Sequence, residues 1–373
     1  MGDKIVSKTE GVVKENKLSR YMDEKKQDFE AFKKLSGKDK RKAIFEFLIN
    51  NALYILIVIL VIFVQFTNNN FLSASSIVSI LTQSSTRLIM ALGVAGIIVL
   101  TGTDLSAGRI MGLSACICAS LLQAVDYPNK MYPDLPLLPL IIPLLIVMVV
   151  GGALGAFNGF CVAKFKLHPF IVTLGTQLMI YGLILIYVGF GTNAGAPIGG
   201  LDRGYVNFVN DGIRLGELLI PNVIFYAILI TIIMWFVWNK TKLGKNIFAV
   251  GCNPDAANVS GVSVTKTIII VFCLAGLLYG ISGFLESARV GSNTAATGFN
   301  YELDAIAACV IGGVSFMGGI GKIKGVIMGV ILLQLINASL VFLGVEGNLQ
   351  TIVKGAIILI ACAIDMRKYL VRK

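Results

Sequence analysis

Charge is scarce in this chain and histidine is almost missing. Only 14% of its 373 residues are Asp, Glu, Lys or Arg, and His168 is the single histidine. A soluble globular domain carries about 25% charged residues, so the composition excludes an ordinary soluble fold. One histidine leaves no room for a multi-histidine metal site and little for histidine acid–base chemistry. The chain holds no Gly-x4-Gly-Lys-[Ser/Thr]. Its nearest approach, Gly318-Gly319-Ile320-Gly321-Lys322-Ile323, lacks both the spacing and the hydroxyl, so ATP hydrolysis cannot be argued for this chain. His-Glu-x-x-His, Gly-x-Ser-x-Gly and the Thr-Val-Gly-Tyr-Gly potassium filter are also missing. No catalytic residue, metal site or cofactor is expected.

Cysteine is present but unorganised. Cys116, Cys118, Cys161, Cys252, Cys273, Cys309 and Cys362 form an odd, scattered set, mostly inside apolar runs, which is no disulfide framework. On a helix Cys116 and Cys118 point about 200° apart, a poor metal clip. They read as small apolar packing residues.

What the chain does have is length in oil. With 56% hydrophobic residues and a mean hydropathy of +0.81, it repeats apolar runs of about twenty residues, the length a helix needs to cross a bilayer. Backbone groups in lipid must satisfy one another, so each run closes as a helix. The expected fold is all-α: a polytopic helical membrane protein of about ten transmembrane helices, both termini cytoplasmic. The spans fall near 44–66, 76–100, 107–126, 137–163, 168–190, 218–239, 266–288, 302–318, 323–343 and 349–366. Gly and polar residues interrupt the third and eighth. Three parts follow: a basic polar cytoplasmic segment over 1–43, a transmembrane domain over 44–366, and a basic tail over 367–373.

Net charge is +11, and its placement sets the orientation. The first 43 residues hold thirteen Lys/Arg against eight acids. With the N-terminus inside and ten crossings, Lys164, Lys166, Lys240, Lys242, Lys245, Lys266, Lys322 and Lys324 fall on inner loops, and the basic tail returns inside. The polar stretch lasts until about Ala43, so the N-terminus does not read as a signal peptide. Its interleaved acids and few stacking aromatics argue against nucleic-acid binding.

Two long loops stand out: an outer Gly/Asn-rich one over about 191–217 and an inner one over about 240–265. In the inner loop Asn253 is shaped to cap a helix that opens with Pro254, carries Asp255 in its first turn and ends at Gly261. A short helix over about 254–260 on the cytoplasmic face is well formed for docking a partner; an ordinary loop helix is the alternative. Gly151, Gly155 and Gly159, then Gly321, Gly325 and Gly329, and Gly276 with Gly280, lie four apart. Such stripes let helices approach closely in lipid, within one chain or between subunits.

Ionisable residues at bilayer depth are costly. Arg87, Asp104, Arg109, Glu286, Glu302, Asp304 and Lys354 mostly lie near span ends, where headgroup-level placement explains them. Asp104 sits in the break Thr101–Arg109 and could cap the helix beginning near Leu105 or pair with Arg109. Neutral polar groups (Asn158, Thr173, Thr176, Gln177, Tyr181 and Gln334) would line a cavity able to pass a neutral polar solute. Asp104, Ser106, Asn158, Thr173 and Thr176 are the translocation-path candidates.

Leu81-Thr82-Gln83-Ser84-Ser85, Ala91-Leu92-Gly93-Val94-Ala95-Gly96, Thr101-Gly102-Thr103-Asp104-Leu105-Ser106-Ala107-Gly108-Arg109, Thr173-Leu174-Gly175-Thr176, Gly244-Lys245-Asn246-Ile247-Phe248-Ala249 and Tyr301-Glu302-Leu303-Asp304-Ala305-Ile306-Ala307-Ala308-Cys309-Val310 resemble the permease subunits of bacterial ABC monosaccharide importers, in the ribose/xylose/galactose branch. The resemblance covers roughly 50–370 and is nearest to the galactose and methyl-galactoside importers. It implies a multi-pass protein of the bacterial inner membrane that translocates a monosaccharide by alternating access. It implies three protein partners: an ATPase subunit with two nucleotide-binding domains, an extracytoplasmic sugar-binding protein and a second permease copy. Asn253, Pro254, Asp255, Ala256, Ala257, Ser260 and Gly261 match the family's ATPase-coupling region. The long basic head departs from the family pattern. Rival readings are the same role for ribose or xylose, an ion-coupled secondary sugar transporter, which would work without partners, and an intramembrane enzyme, for which no reactive constellation is found.

Overall fold

The computed structural model describes Arg41, residues 52–190 and residues 193–370. The rest of the basic head, the first residues of the expected first span and the last three of the tail lie outside the described residues. Contacts divide the chain into two units, Met1–Leu56 and Ile57–Lys373, and the architecture below belongs to the second.

The class is as expected: helices dominate, and among the described residues six of them are long and apolar enough to cross a membrane. These are α2 (Ala74–Val99), α4 (Ile141–Phe165), α5 (Pro169–Val188), α7 (Asn222–Lys240), α10 (Val264–Val290) and α12 (Ile323–Phe342). α1 (Ala52–Thr67) precedes them and α13 (Gly347–Leu370) ends the described chain. The centre is α2 and α10, whose apolar windows are 56% and 61% buried, against 28–33% for α4, α5 and α7. Peripheral helices instead turn Val149, Ile171, Ile186 and Ile232 outward. In water such faces would be unsatisfactory; lipid tails accept them.

The third and eighth expected spans form shorter helices than the sequence suggested, so the helices do not establish the count of ten. α3 (Ala107–Leu121) and α11 (Tyr301–Ile311) rise only about 22 and 16 Å at 1.5 Å per residue, short of the roughly 30 Å hydrocarbon core. Each follows non-helical chain, over 100–106 and 291–300. Thr101 and Asn300, at φ 63° in both cases, set the turns. The N-terminal turns of the two half-helices abut: a Cβ on Gly108 would strike the Gly298 carbonyl and the Glu302 carboxylate.

The glycine stripes close helix pairs inside the chain. A Cβ on Gly276 would meet the Gly151 carbonyl, and one on Gly155 the Phe272 carbonyl, so α4 and α10 touch backbone to backbone. Gly325 and Gly329 lie in the same way against Gly312 and Ala308, bringing α12 onto α11.

Both long loops contain elements that the sequence reading missed. The outer one carries α6 (Arg203–Asn210) and β1 (Gly212–Leu215), which pairs antiparallel with β2 (Leu218–Pro221); β2 takes the first residues of the expected sixth span, whose helix starts only at Asn222. The inner one carries α8 (Lys242–Cys252) before the expected short helix α9 (Pro254–Val259). Gly244 and Gly251 lower the helical propensity of α8, which hid it; its signal was the Thr241 cap, whose Oγ1 accepts from Gly244 N at 3.2 Å. The single histidine acts locally, since His168 Nδ1 accepts from Phe170 N at 3.3 Å and caps α5.

Candidate functional site

Three constellations stand out. The first holds the break before α3. Asp104 Oδ1 accepts from Ser106 N at 2.9 Å and from Ser106 Oγ at 2.6 Å. Asn158 on α4 donates to Ser106 Oγ at 2.9 Å, and Leu105 N donates to Thr173 Oγ1 on α5 at 3.1 Å. Asp104, Ser106, Asn158 and Thr173 are each 0% exposed. Four of the five path candidates thus form one buried network that ties the broken segment to α4 and α5. Thr176 stands apart, donating to Val172 and Thr173 carbonyls of its own helix. Neither of the two roles open to Asp104 is found: it closes a local turn with Ser106, which is itself the N-cap of α3 and carries no side-chain cap, and Arg109 bonds elsewhere. Asn158 Oδ1 is buried there with no hydrogen-bond partner among the described residues, and the hydroxyl of Tyr279 on α10 faces the Asp104 carboxyl. Tyr279 interacts electrostatically with Asp104. It was invisible in sequence, being one aromatic in an apolar run.

The second constellation gathers ionisable residues near the span ends. Glu286, 0% exposed, accepts from Arg289 Nε at 2.8 Å and Nη2 at 2.7 Å, from Thr86 Oγ1 at 2.8 Å and from the Tyr301 hydroxyl at 3.1 Å. Arg87 stacks over Tyr301, 4.2 Å from the ring centroid. Its Nε lies 3.7 Å from Asp304 Oδ2, which also faces Lys354 Nζ at 3.4 Å. The charges sit inside protein because they satisfy one another, not because they reach water. Together they join α2, α10, α11 and α13.

The third lies at the end of the bundle that carries the lysines. Asn253 Oδ1 accepts from Ala256 N at 3.0 Å and caps α9, as expected. Gly261, at φ +84°, takes a left-handed turn that a side chain would strain. Asp255, Ala256 and Ser260 are exposed, while Ala257 is 5% exposed and points inward. Val259 is 91% exposed, an apolar tip that the sequence reading did not single out. Just before α9, three backbones meet. Gly319 N donates to Val99 O at 2.9 Å, and a Cβ on Gly251 would collide with both Val99 O and Gly319 N. Val99 ends α2 immediately before the α3 break, and Gly319 lies in the loop after α11. The end of α8 therefore touches both discontinuous elements. Among the described residues no cluster of His, Cys, Asp and Glu could hold a metal.

Comparison with known proteins agrees with this arrangement. Residues 76–362 match the model of the family described as branched-chain amino acid transport system / permease component. The chain is 44% identical over 333 residues to the galactose/methyl galactoside import permease protein MglC of Escherichia coli (strain K12), covering 89% of this chain and 98% of that one. It is 35% identical over 311 residues to the ribose import permease protein RbsC of Bacillus subtilis (strain 168), covering 83% and 90%. It is 34% identical over 313 residues to the D-allose transport system permease protein AlsC of Escherichia coli (strain K12), covering 84% and 90%. No solved structure matches. With buried broken helices, a capped helix at one end and relatives along nearly its whole length, the chain belongs to this family of membrane transport permeases, in the group that holds the sugar import permeases.

Proposed function

We propose that this chain is the membrane permease of an ATP-driven importer for galactose or a methyl galactoside, working by alternating access. The 44% identity to a galactose/methyl galactoside permease supports the sugar. The observation that carries the mechanism is the meeting of Val99, Gly251 and Gly319 beside α9. A separate ATPase subunit with two nucleotide-binding domains would grip α9 from the cytoplasm through Asp255, Ala256, Val259 and Ser260. Because backbone meets backbone at Gly251, displacement of α9 would pass without slack into the segments that precede α3 and follow α11. An ATPase favouring one position of α9 would bias the inward–outward equilibrium by its differential affinity for the two states. A sugar-binding protein would deliver substrate at the opposite end, and a second copy of the chain would complete the pathway. The basic head, 1–43, would make a further cytoplasmic contact.

The test is uptake of labelled galactose in proteoliposomes holding the permease, its ATPase and its binding protein. Ala256→Glu should leave ATP hydrolysis running while uptake falls to background. Uptake by the permease alone, driven by an ion gradient, would instead establish a secondary transporter.

A further inference from the structure

The junction of the two half-helices carries groups that neither the buried network nor the ion pairs use. Arg109, in the first turn of α3, lies between two aromatic rings, 4.3 Å from the centroid of Tyr181 and 5.0 Å from that of Phe299. Its Nη1 donates to Ala295 O at 3.0 Å, which fixes the plane of the guanidinium and the direction of its remaining N–H groups. Glu302, in the first turn of α11, is 2% exposed. Its Oε1 accepts a long bond, 3.4 Å, from Gln177 on α5, and its Oε2 is buried with no partner among the described residues. Gln177 and Tyr181 stand one turn apart on α5. Both aromatic residues are also exposed, Tyr181 37% and Phe299 55%.

We propose that this junction is a binding site for a neutral pyranose, with Arg109, Gln177 and Glu302 as its hydrogen-bonding groups and Tyr181 and Phe299 as its stacking groups. The proposal deepens the reading of the chain as a sugar permease and rests on it. A lipid-facing surface does not account for the cluster, since hydrocarbon offers nothing to a half-buried carboxamide or a carboxylate oxygen that lacks a donor. A cation is disfavoured by Arg109, and an anion by Glu302. A sugar suits both: its hydroxyls donate to the carboxylate and accept from guanidinium and amide, while its C–H face lies on an aromatic ring. The four contributing segments are α3, α5, the chain before α11 and α11 itself. Two of them are broken elements that Gly251 and Gly319 link to α9, so a change of conformation there would dismantle the site and release a weakly held sugar.

The experiment is saturation-transfer-difference NMR on the full chain in lipid nanodiscs with methyl β-galactoside, beside uptake by the complete system. Wild type should show transfer to the sugar. Phe299→Ala and Gln177→Ala should each reduce it about fivefold, the effect of losing one contact group. Phe170→Ala, another exposed aromatic near the start of α5, should not. Phe299→Leu and Glu302→Gln serve where a variant is not recovered as a monodisperse peak. Transport by wild type with no NMR transfer, or with equal transfer in all variants, would overturn this site and leave the permease reading standing. Absence of any monosaccharide uptake by the complete system would overturn that reading instead.

Discussion

Individual residues show how this chain tolerates polarity in oil. Glu286 accepts four hydrogen bonds from Thr86, Arg289 and Tyr301, so its charge is compensated where lipid would otherwise exclude it. Glu286→Ala should cost about 3–5 kcal/mol by leaving Arg289 unpaired in a buried place, read as a large drop in the apparent melting temperature of the detergent-solubilised protein. Glycines divide by what surrounds them. Gly276 faces the Gly151 carbonyl, whereas a Cβ on Gly175 would meet nothing within 4 Å. Gly276→Leu should force α4 and α10 apart and sharply lower the yield of folded protein. Gly175→Ala should be neutral or stabilise by about 0.4–1 kcal/mol through chain entropy, measured in the same melting assay. The stripes were legible in sequence as periodic small residues, but their partners were not, because spacing gives a face and not the helix it meets. Likewise the sequence marked Arg87, Glu286, Asp304 and Lys354 as costly, and only packing revealed that Glu286 pairs with Arg289 and Asp304 with Arg87 and Lys354.

At the scale of elements, local chemistry was most readable where a cap decides the outcome. Asn253, Pro254 and Gly261 predicted α9 because each acts within a few residues of its own position. Asn253→Ala removes the acceptor for Ala256 N and should destabilise the helix by about 1 kcal/mol. Amide exchange over Ala256–Val259 should then quicken about fivefold, measured by mass spectrometry on the intact protein. α8 escaped because its two glycines mimic a loop, yet both are demanded by tertiary contact: Gly244 by the Trp238 carbonyl and Gly251 by Val99 and Gly319. The half-helices α3 and α11 were overextended for the opposite reason. Apolar composition continues past their ends, and hydropathy does not distinguish helix from extended chain that is buried in protein.

For the whole molecule, the decisive asymmetry is charge. The lysines at Lys164, Lys166, Lys240, Lys242, Lys245 and Lys266 predict one cytoplasmic end. The variant Lys245→Cys, in a Cys252→Ser background, should react with an impermeant maleimide in inside-out vesicles and not in intact cells. The reverse pattern would invert the topology and remove α9 from any cytoplasmic ATPase. By itself the sequence determined that the chain lives in lipid as a helical bundle, since a twenty-residue apolar run has no other way to satisfy its backbone. It also determined where the short capped helix forms, since capping is local. Only the tertiary structure decided how short the two interrupted helices are, that Glu286 pairs with Arg289 and Asp304 with Arg87 and Lys354, and that Gly251 joins α9 to both breaks. Those outcomes depend on residues two hundred or more positions apart, such as Thr86 and Glu286, and such separations leave no periodicity in the chain.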